Sequence, residues 1–267
     1  MNMSAKIYTR SINYELYRMS GHCLGLALPR VRLVNTTADG YFYRMLEDSY
    51  CDWAINIDED AFVVNDKAIL ELLDYMQRND YVNCGMSDGV LVRPYNPAVT
   101  NPFFNILNLK AIRECFNSDE ISGFDYEKHR NAILSKLPPS LQQVDEERMA
   151  MTNEEPYYRF FLWLAYRFRT LYLDAEMHLD GISTILKNHE GQPILYHSWF
   201  SREWRKDPEH TARITQLYHE ACSLRGKTPY LPKIWTLISP PERQLQILRR
   251  KTHNAFLLLT NHISQKQ

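Results

Sequence analysis

The sequence predicts an α/β protein with a mixed, mainly parallel sheet flanked by helices, followed by C-terminal helices. Three observations carry the prediction. Short apolar runs alternate with amphipathic segments between Lys6 and Arg78, the rhythm that produces parallel strands joined by right-handed crossovers. One run, Trp53-Ala54-Ile55-Asn56-Ile57, is apolar at all but one position, as a strand covered on both faces must be. It ends abruptly in Asp58-Glu59-Asp60, so charge emerges at the carboxyl end of a strand, where open α/β sheets hold their ligands.

The chain of 267 residues, 45% hydrophobic and 12% aromatic, is long enough for one large or two small domains and for a substantial core. Wholesale disorder is thereby excluded. A net charge of −1 argues against a protein that coats nucleic acid. The five cysteines are scattered and form no CxxC pair, so reduced, mostly buried thiols are expected rather than a zinc ribbon or a dithiol centre. Residues 1–13 contain no apolar signal-peptide core, and no run reaches the roughly 18–20 apolar residues that span a bilayer. The expectation is a cytoplasmic protein, with a peripheral contact at the inner face of the membrane left open.

Lys6 to Ile12 reads as the first strand and Tyr14 to Leu28 as a helix stopped by Pro29. Val31 to Asn35 alternates like a strand, and Asp39 is positioned to cap a short helix from Gly40. After the acidic strand, Ile69, Leu72, Leu73 and Met76 mark a helix over Asp66–Arg78. Strands are expected at Tyr81–Met86, Gly89–Arg93 and Phe103–Leu109, then a helix over Lys110–Phe116. Asn117 to Glu147 reads as a loop-rich insertion with a helix near Tyr126–Lys136. Glu154-Glu155-Pro156 has the composition of a helix start, and Thr170–Asp174 of a strand. Asp207 and Pro208 begin a helix that Gly226 ends, and four prolines between Thr228 and Pro241 mark an irregular connection. Ser239-Pro240-Pro241-Glu242 reads as a capping box before a last helix striped by Leu245, Leu248, Thr252, Ala255, Phe256, Leu259 and Ile263. This divides the chain into a domain over residues 1–226 and a connection with an amphipathic helix over 227–267.

Neither GxGxxG nor GxxxxGK[ST] is present, so the sheet is Rossmann-like without a dinucleotide or P-loop phosphate cradle. Asp58 and Asp60 leave the strand end two positions apart, close enough to share a divalent cation, though an acidic turn would also serve as a cap. In Gly191 to Trp204, His197 follows an apolar run with Trp199, Arg202 and Trp204 close behind. His197 suits a metal and Arg202 a phosphate or carboxylate; a packed aromatic cluster is the plain reading. Asp39, Gly40 and Arg44 form a third set, for a pyrophosphate or for a surface ion pair. Asp88, Glu154 and Glu155 are candidate general bases or simple turn and cap residues. Arg249-Arg250-Lys251 is a basic cluster, for acidic lipids or for solvent.

A strand-final D-x-D after two βα units, a Glu-Glu-Pro helix start and a late Tyr196-His197-Ser198-Trp199 resemble a nucleotide-sugar glycosyltransferase of the GT-A fold, over roughly residues 6–205. The resemblance implies that Asp58 faces the donor ribose, that Asp60 and His197, with Asp58, hold Mn²⁺ or Mg²⁺ at the diphosphate, and that Arg44 assists. It implies a catalytic base at Glu155 or Glu154 and base recognition near Thr9 and Arg10. It further implies a nucleotide-sugar donor, a glycan or lipid-linked acceptor and a part in building a surface polysaccharide. Other readings are a haloacid-dehalogenase-like phosphoryl transferase and a transferase-like scaffold without activity. A calcium loop is excluded, because the twelfth position counted from Asp58 is Ile69 rather than a bidentate Glu.

Overall fold

The computed structural model describes residues 4–264 except Asn35, Val92 and Val144, with only the backbone described for Arg250 and for residues 253–264. Its strands are β1 (Ala5–Arg10), β2 (Arg30–Leu33), β3 (Trp53–Ile57), β4 (Ala61–Val63), β5 (Asn83–Met86), β6 (Phe104–Asn108), β7 (Thr170–Leu173), β8 (Ala175–Met177), β9 (Thr184–Lys187) and β10 (Pro193–His197). Six of them form a sheet in the order β2-β1-β3-β6-β5-β7. The pairs β1–β2, β1–β3 and β5–β7 are parallel, and β6 runs antiparallel between β3 and β5. The chain leaves β1 to one side for β2, then crosses back over β1 to β3. The connections leaving β1 and β3 therefore run to opposite sides in the strand order, and the crevice of an open α/β sheet lies outside the carboxyl ends at such a switch.

Helices α1 (Tyr14–Cys23), α2 (Gly40–Leu46) and α3 (Asp66–Arg78) make the first crossovers. Every residue of β3 is buried, and its pleat divides it between two layers. Trp53, Ile55 and Ile57 pack with Ile69, Leu72 and Met76 of α3, each contributing about 1.5–3 kcal/mol. Ala54 belongs to the opposite layer with Tyr41 and Phe42 of α2. Both faces of the sheet are thus covered, the reason the strand tolerates no polar residue other than Asn56, whose amide donates to Pro102 O at 2.6 Å.

The remaining helices are α4 (Leu109–Cys115), α5 (Ser118–Ser122), α6 (Tyr126–Leu134), α7 (Pro139–Gln142), α8 (Glu146–Met149), α9 (Tyr158–Arg167), α10 (Pro208–Leu224) and α11 (Lys233–Ser264). The expected insertion is the four short helices α5–α8, three of them capped by Asn117, Asp125 and Asp145. β4 was not foreseen as a strand: it follows the acidic turn directly and joins an antiparallel sheet in the order β4-β10-β9-β8. The acidic turn therefore hinges one sheet to the other.

Several boundaries depart from the sequence reading. α1 ends at Cys23 rather than Leu28, because Lys227 Nζ takes the carbonyls of His22 and Leu24 at 2.8 and 3.0 Å and Leu24 is extended. Gly89–Arg93 is a turn, not a strand, with Leu91 left-handed at φ 57°; Val92 lies outside the described residues. α9 starts at Tyr158, so Glu154, Glu155 and Pro156 form a turn ahead of it. The irregular connection before Pro241 is instead mostly the first turns of α11, which runs through Pro240 and Pro241. Ser239 caps nothing there: its hydroxyl donates to Asn13 Oδ1 at 3.0 Å, and Glu242 grips Arg32 at 2.6 and 3.1 Å. Of the expected apolar stripe, the side chains of Ala255, Phe256, Leu259 and Ile263, like that of Arg250, lie outside what is described. None of the described helices is long and apolar enough to cross a membrane.

Glu15 of α1, 1% exposed, ties these parts together. It accepts from Trp204 Nε1 at 2.7 Å, from Arg205 at 2.8 and 3.1 Å and from Thr236 Oγ1 at 2.8 Å. Burial raises its carboxyl, but Arg205, Trp204 and Thr236 outweigh that and hold it below the usual carboxylate range. A carboxyl lowered on folding adds stability that is complete above its unfolded value and is lost as pH falls through the lowered one. Glu15→Gln should therefore cost roughly 2–3 kcal/mol at neutral pH. In urea melts the gap to wild type should narrow as pH drops below about 4.

Candidate functional site

At the end of β3 the amide of Asp58 donates to Phe103 O at 2.9 Å, and Ala61 N returns to Asp58 O at 3.2 Å. This tight turn sends alternate side chains apart. Glu59 goes toward the start of α1, where its carboxylate accepts the backbone amides of Ile12 at 3.0 Å and Asn13 at 2.7 Å. Asp58 and Asp60 share the other side. The antiparallel register of β4 with β10 sets Ala61 opposite His197, which brings the imidazole to the last acid. His197 Nε2 lies 3.3 Å from Asp60 Oδ1, and Ser198 Oγ donates to Asp60 Oδ2 at 2.9 Å. One ligand atom each from Asp58, Asp60 and His197 falls within 4.8 Å of the others.

The imidazole is held rigidly. It stacks on Phe103 at 4.3 Å with an interplanar angle of 7° and meets the edge of Trp199 at 4.4 Å. Its Nδ1 is buried without a hydrogen-bond partner among the described residues. Asp58 Oδ2 faces Arg10 at 3.7 Å, from the end of β1, and that guanidinium lies 5.2 Å over the Tyr41 ring.

Charge in this turn is costly. Burial pushes the Asp58 carboxyl up by more than Arg10 brings it down, and the neighbouring Asp60 adds repulsion that His197 partly offsets. Burial also raises Asp60, but His197 and the Ser198 hydroxyl hold it below the usual range. Glu59 is pushed up to about 8 by burial and by the charge of Asp58. Two carboxylates and one imidazole, clustered and short of positive charge, fit a divalent cation that keeps open positions for water or substrate oxygens.

These groups form one wall of a cavity of about 350 Å³. Facing them are Arg93, Glu155 and Tyr157, and the floor and rim come from Asn101 to Phe103 and from Trp199 to Glu203. The rim is strained: Trp199 and Phe200 are both left-handed, with φ of 57° and 58°. Such conformations cost about 1–3 kcal/mol each in a residue with a side chain, and they persist where neighbours enforce them. Here Arg213 of α10 donates to the carbonyls of Ser198 at 2.5 Å and Trp199 at 3.2 Å, and Trp199 Nε1 donates to Thr184 Oγ1 at 2.9 Å.

The cavity gathers Arg10, Asp58, Asp60, Glu155, His197 and Arg202 from the residues singled out in the sequence. Five others do not line it. Asp88 is fully buried and accepts from Asn101 at 2.6 Å, Tyr158 at 2.7 Å and Tyr157 at 3.3 Å, behind the cavity wall. Thr9 is buried and accepts from Arg30 Nε at 3.0 Å. Arg44 is exposed and pairs with Glu47 at 3.5 Å, on the outer face of α2. Asp39 makes no side-chain cap bond; Gly40 N is served by Thr37 Oγ1 instead. Glu154 is exposed beside the cavity but does not line it. The sequence reading missed Arg93, which holds Glu155 at 2.5 Å and stands 3.7 Å from Asp88. Its assignment to a strand hid it; the nearby Asp88 was the available signal. Arg213, inside the helix that Asp207 and Pro208 begin, belongs to no motif and left no signal at all.

No protein-family model matches the sequence, and no curated protein matches it. Nine solved chains show structural similarity. Among them, A197 from STIV aligns with a TM-score of 0.36 and 10% identity over 72% of this chain and 94% of its own. The glycosyltransferase GlyE of Streptococcus pneumoniae TIGR4 aligns with a TM-score of 0.35 and 12% identity over 65% of this chain and 46% of its own. The match thus spans less than half of GlyE, and scores this low carry no functional weight.

His197→Ala should weaken Mn²⁺ binding at least about tenfold in a calorimetric titration, since even outer-shell partners of a metal are worth 10–100-fold. Asp88→Ala should behave differently. It leaves two tyrosine hydroxyls and the Asn101 amide without their acceptor, so urea melts should register a loss of roughly 3 kcal/mol while Mn²⁺ affinity stays at the wild-type value.

Proposed function

We propose that the protein is a metal-dependent glycosyltransferase that moves a sugar from a nucleoside-diphosphate sugar to an acceptor hydroxyl. The observation that carries this reading is the convergence of Asp58, Asp60 and His197 at the carboxyl ends of β1 and β3, inside a cavity whose walls also hold Arg10 and Arg202. The resemblance of the D-x-D strand and the Tyr196-His197-Ser198-Trp199 segment to the GT-A transferases supports the same reaction. Mn²⁺ or Mg²⁺ held by the three residues would neutralise the charge that gathers on a leaving diphosphate.

The chain's own groups then divide the work. Asp58, fixed by Arg10, faces the nucleoside side of the donor. Arg202 and Arg10 offer planar donors to phosphate oxygens. Glu155 is the base for the acceptor hydroxyl, because of the three candidate acids it is the one that lines the cavity; Arg93 orients it. The rings of Phe103 and Trp199, one stacked on His197 and the other edge-on to it, exclude water beside the metal ligands. The acceptor is a glycan or a lipid-linked glycan. A haloacid-dehalogenase mechanism is disfavoured, since it needs a lysine at the site and none lines the cavity among the described residues.

A thermal-shift panel of UDP, GDP and dTDP with and without Mn²⁺ tests the reading. One nucleotide and Mn²⁺ together should raise Tm more than the sum of their separate effects, and Asp60→Ala should abolish that joint shift. The matching nucleotide sugar should be hydrolysed slowly without acceptor. An unchanged joint shift in the variant would remove the metal assignment, and no turnover of any nucleotide sugar would favour the scaffold reading.

Glu155→Gln should lower kcat for transfer by about 10²–10⁴-fold, the usual worth of a general base, with little change in the nucleotide-dependent Tm shift.

A further inference from the structure

A second cavity, of about 460 Å³, lies between α1 and the start of α11 and shares no residue with the first. Arg30 opens β2 and pairs in register with Ile7, so this cavity lies toward the amino ends of the strands, whereas the acidic turn leaves their carboxyl ends. Its walls are Tyr17, Arg18 and His22 of α1, Arg30, Tyr230 and Trp235.

The two arginines lack counter-charges. Arg30 donates to Thr9 Oγ1 at 3.0 Å, Tyr17 O at 2.9 Å and Ser20 Oγ at 3.2 Å, all neutral acceptors, and its guanidinium lies 4.1 Å over the Tyr17 ring. A guanidinium carries five N–H donors, so two remain for a ligand. Arg18 is exposed and lies 5.1 Å over the Trp235 ring. The acids of these elements are engaged elsewhere: Glu242 with Arg32 and Glu15 with Arg205. Among the described residues no carboxylate comes within ion-pair distance of Arg18 or Arg30. Burial pushes Arg30 down to about 10, with Arg32 and Arg18 adding repulsion against the favourable Tyr17. The seat of Arg30 is also built into the backbone, since a Cβ at Gly21 would overlap its Nη1.

We propose that this cavity binds a phosphate group through Arg18 and Arg30, carried either by a soluble phosphate ester or by a lipid headgroup. A half-buried planar fork with free N–H groups matches phosphate oxygens, and a second cation completes the charge. The aromatic walls accept the remainder of an ester. A headgroup would find apolar surface next to it, because Ile234 and Leu237 flank Trp235 with 53% and 70% of their surface exposed.

The test uses the full chain in EDTA, so that the first site holds no metal. Calorimetry with inorganic phosphate and glycerol phosphate reads the soluble source. Flotation with phosphatidylglycerol–phosphatidylcholine vesicles, against phosphatidylcholine alone, reads the headgroup. Saturable binding in either arm is expected, unchanged by Asp60→Ala and weakened at least about tenfold by Arg18→Gln, the loss of one charged hydrogen bond. Arg18 is exposed, so the variant keeps its fold. Binding of soluble phosphate assigns the ester, and binding of anionic vesicles alone assigns the headgroup. No binding in either arm, binding indifferent to Arg18→Gln, or binding lost in Asp60→Ala overturns the proposal.

Discussion

Three consecutive carboxylates in a buried turn repel one another in a medium that screens them poorly, and the structure is arranged to answer that repulsion. Taking each charge out of water costs several kcal/mol, so each needs its own compensation. Asp58 receives Arg10 from the end of β1, Glu59 receives two backbone amides ahead of α1, and Asp60 receives His197 and Ser198 from the end of β10. Two parts of the chain far apart in sequence, residues 10–13 and 197–198, are drawn to one turn. The crevice at the switch between β1 and β3 and the antiparallel register of β4 with β10 follow from satisfying it.

That convergence has a cost at the rim. To bring Ser198 onto Asp60 and still carry the chain toward α10, Trp199 and Phe200 take left-handed conformations. Arg213 holds both carbonyls of this bend, and Trp199 is anchored on Thr184. The next residues are fastened as firmly: Trp204 and Arg205 bind Glu15, which also takes Thr236 of α11. The segment that closes the cavity is therefore set by a buried acid on α1, and α11 is part of the same bracing.

The two sides of the sheet present opposite electrostatics. The carboxyl ends gather acid short of cation, suited to a metal and the phosphates it would bind. Toward the amino ends, Arg18 and Arg30 stand among aromatic rings, and no acid among the described residues lines their cavity. A net charge of −1 hides both, since a whole-chain sum says nothing about where charges collect.

The sequence by itself determined the parallel βα core, because the apolar periodicity of β3 and α3 follows from local geometry. It also marked Asp58 and Asp60, since they place charge directly after a run that is apolar at all but one position, at the carboxyl end of a buried strand. It marked His197 through its aromatic neighbours. Tertiary structure decided the rest. Pairing β4 with β10 joins residues far apart in the chain, and no local pattern encodes which imidazole will meet which acid. The same holds for Glu155, reached by Arg93 from a turn that read as a strand, and for Asp88, whose position suggested a base until three neighbours enclosed it. Thr9 and Arg44 lie near the site in sequence but are turned away from it, Thr9 toward Arg30 and Arg44 toward Glu47. α11 runs through Pro240 and Pro241, which read locally as a break, because Glu15, Asn13 and Arg32 hold its first turns in place. Side-chain direction and long-range partners are properties of the packed chain, and they decided which of the marked residues could act together.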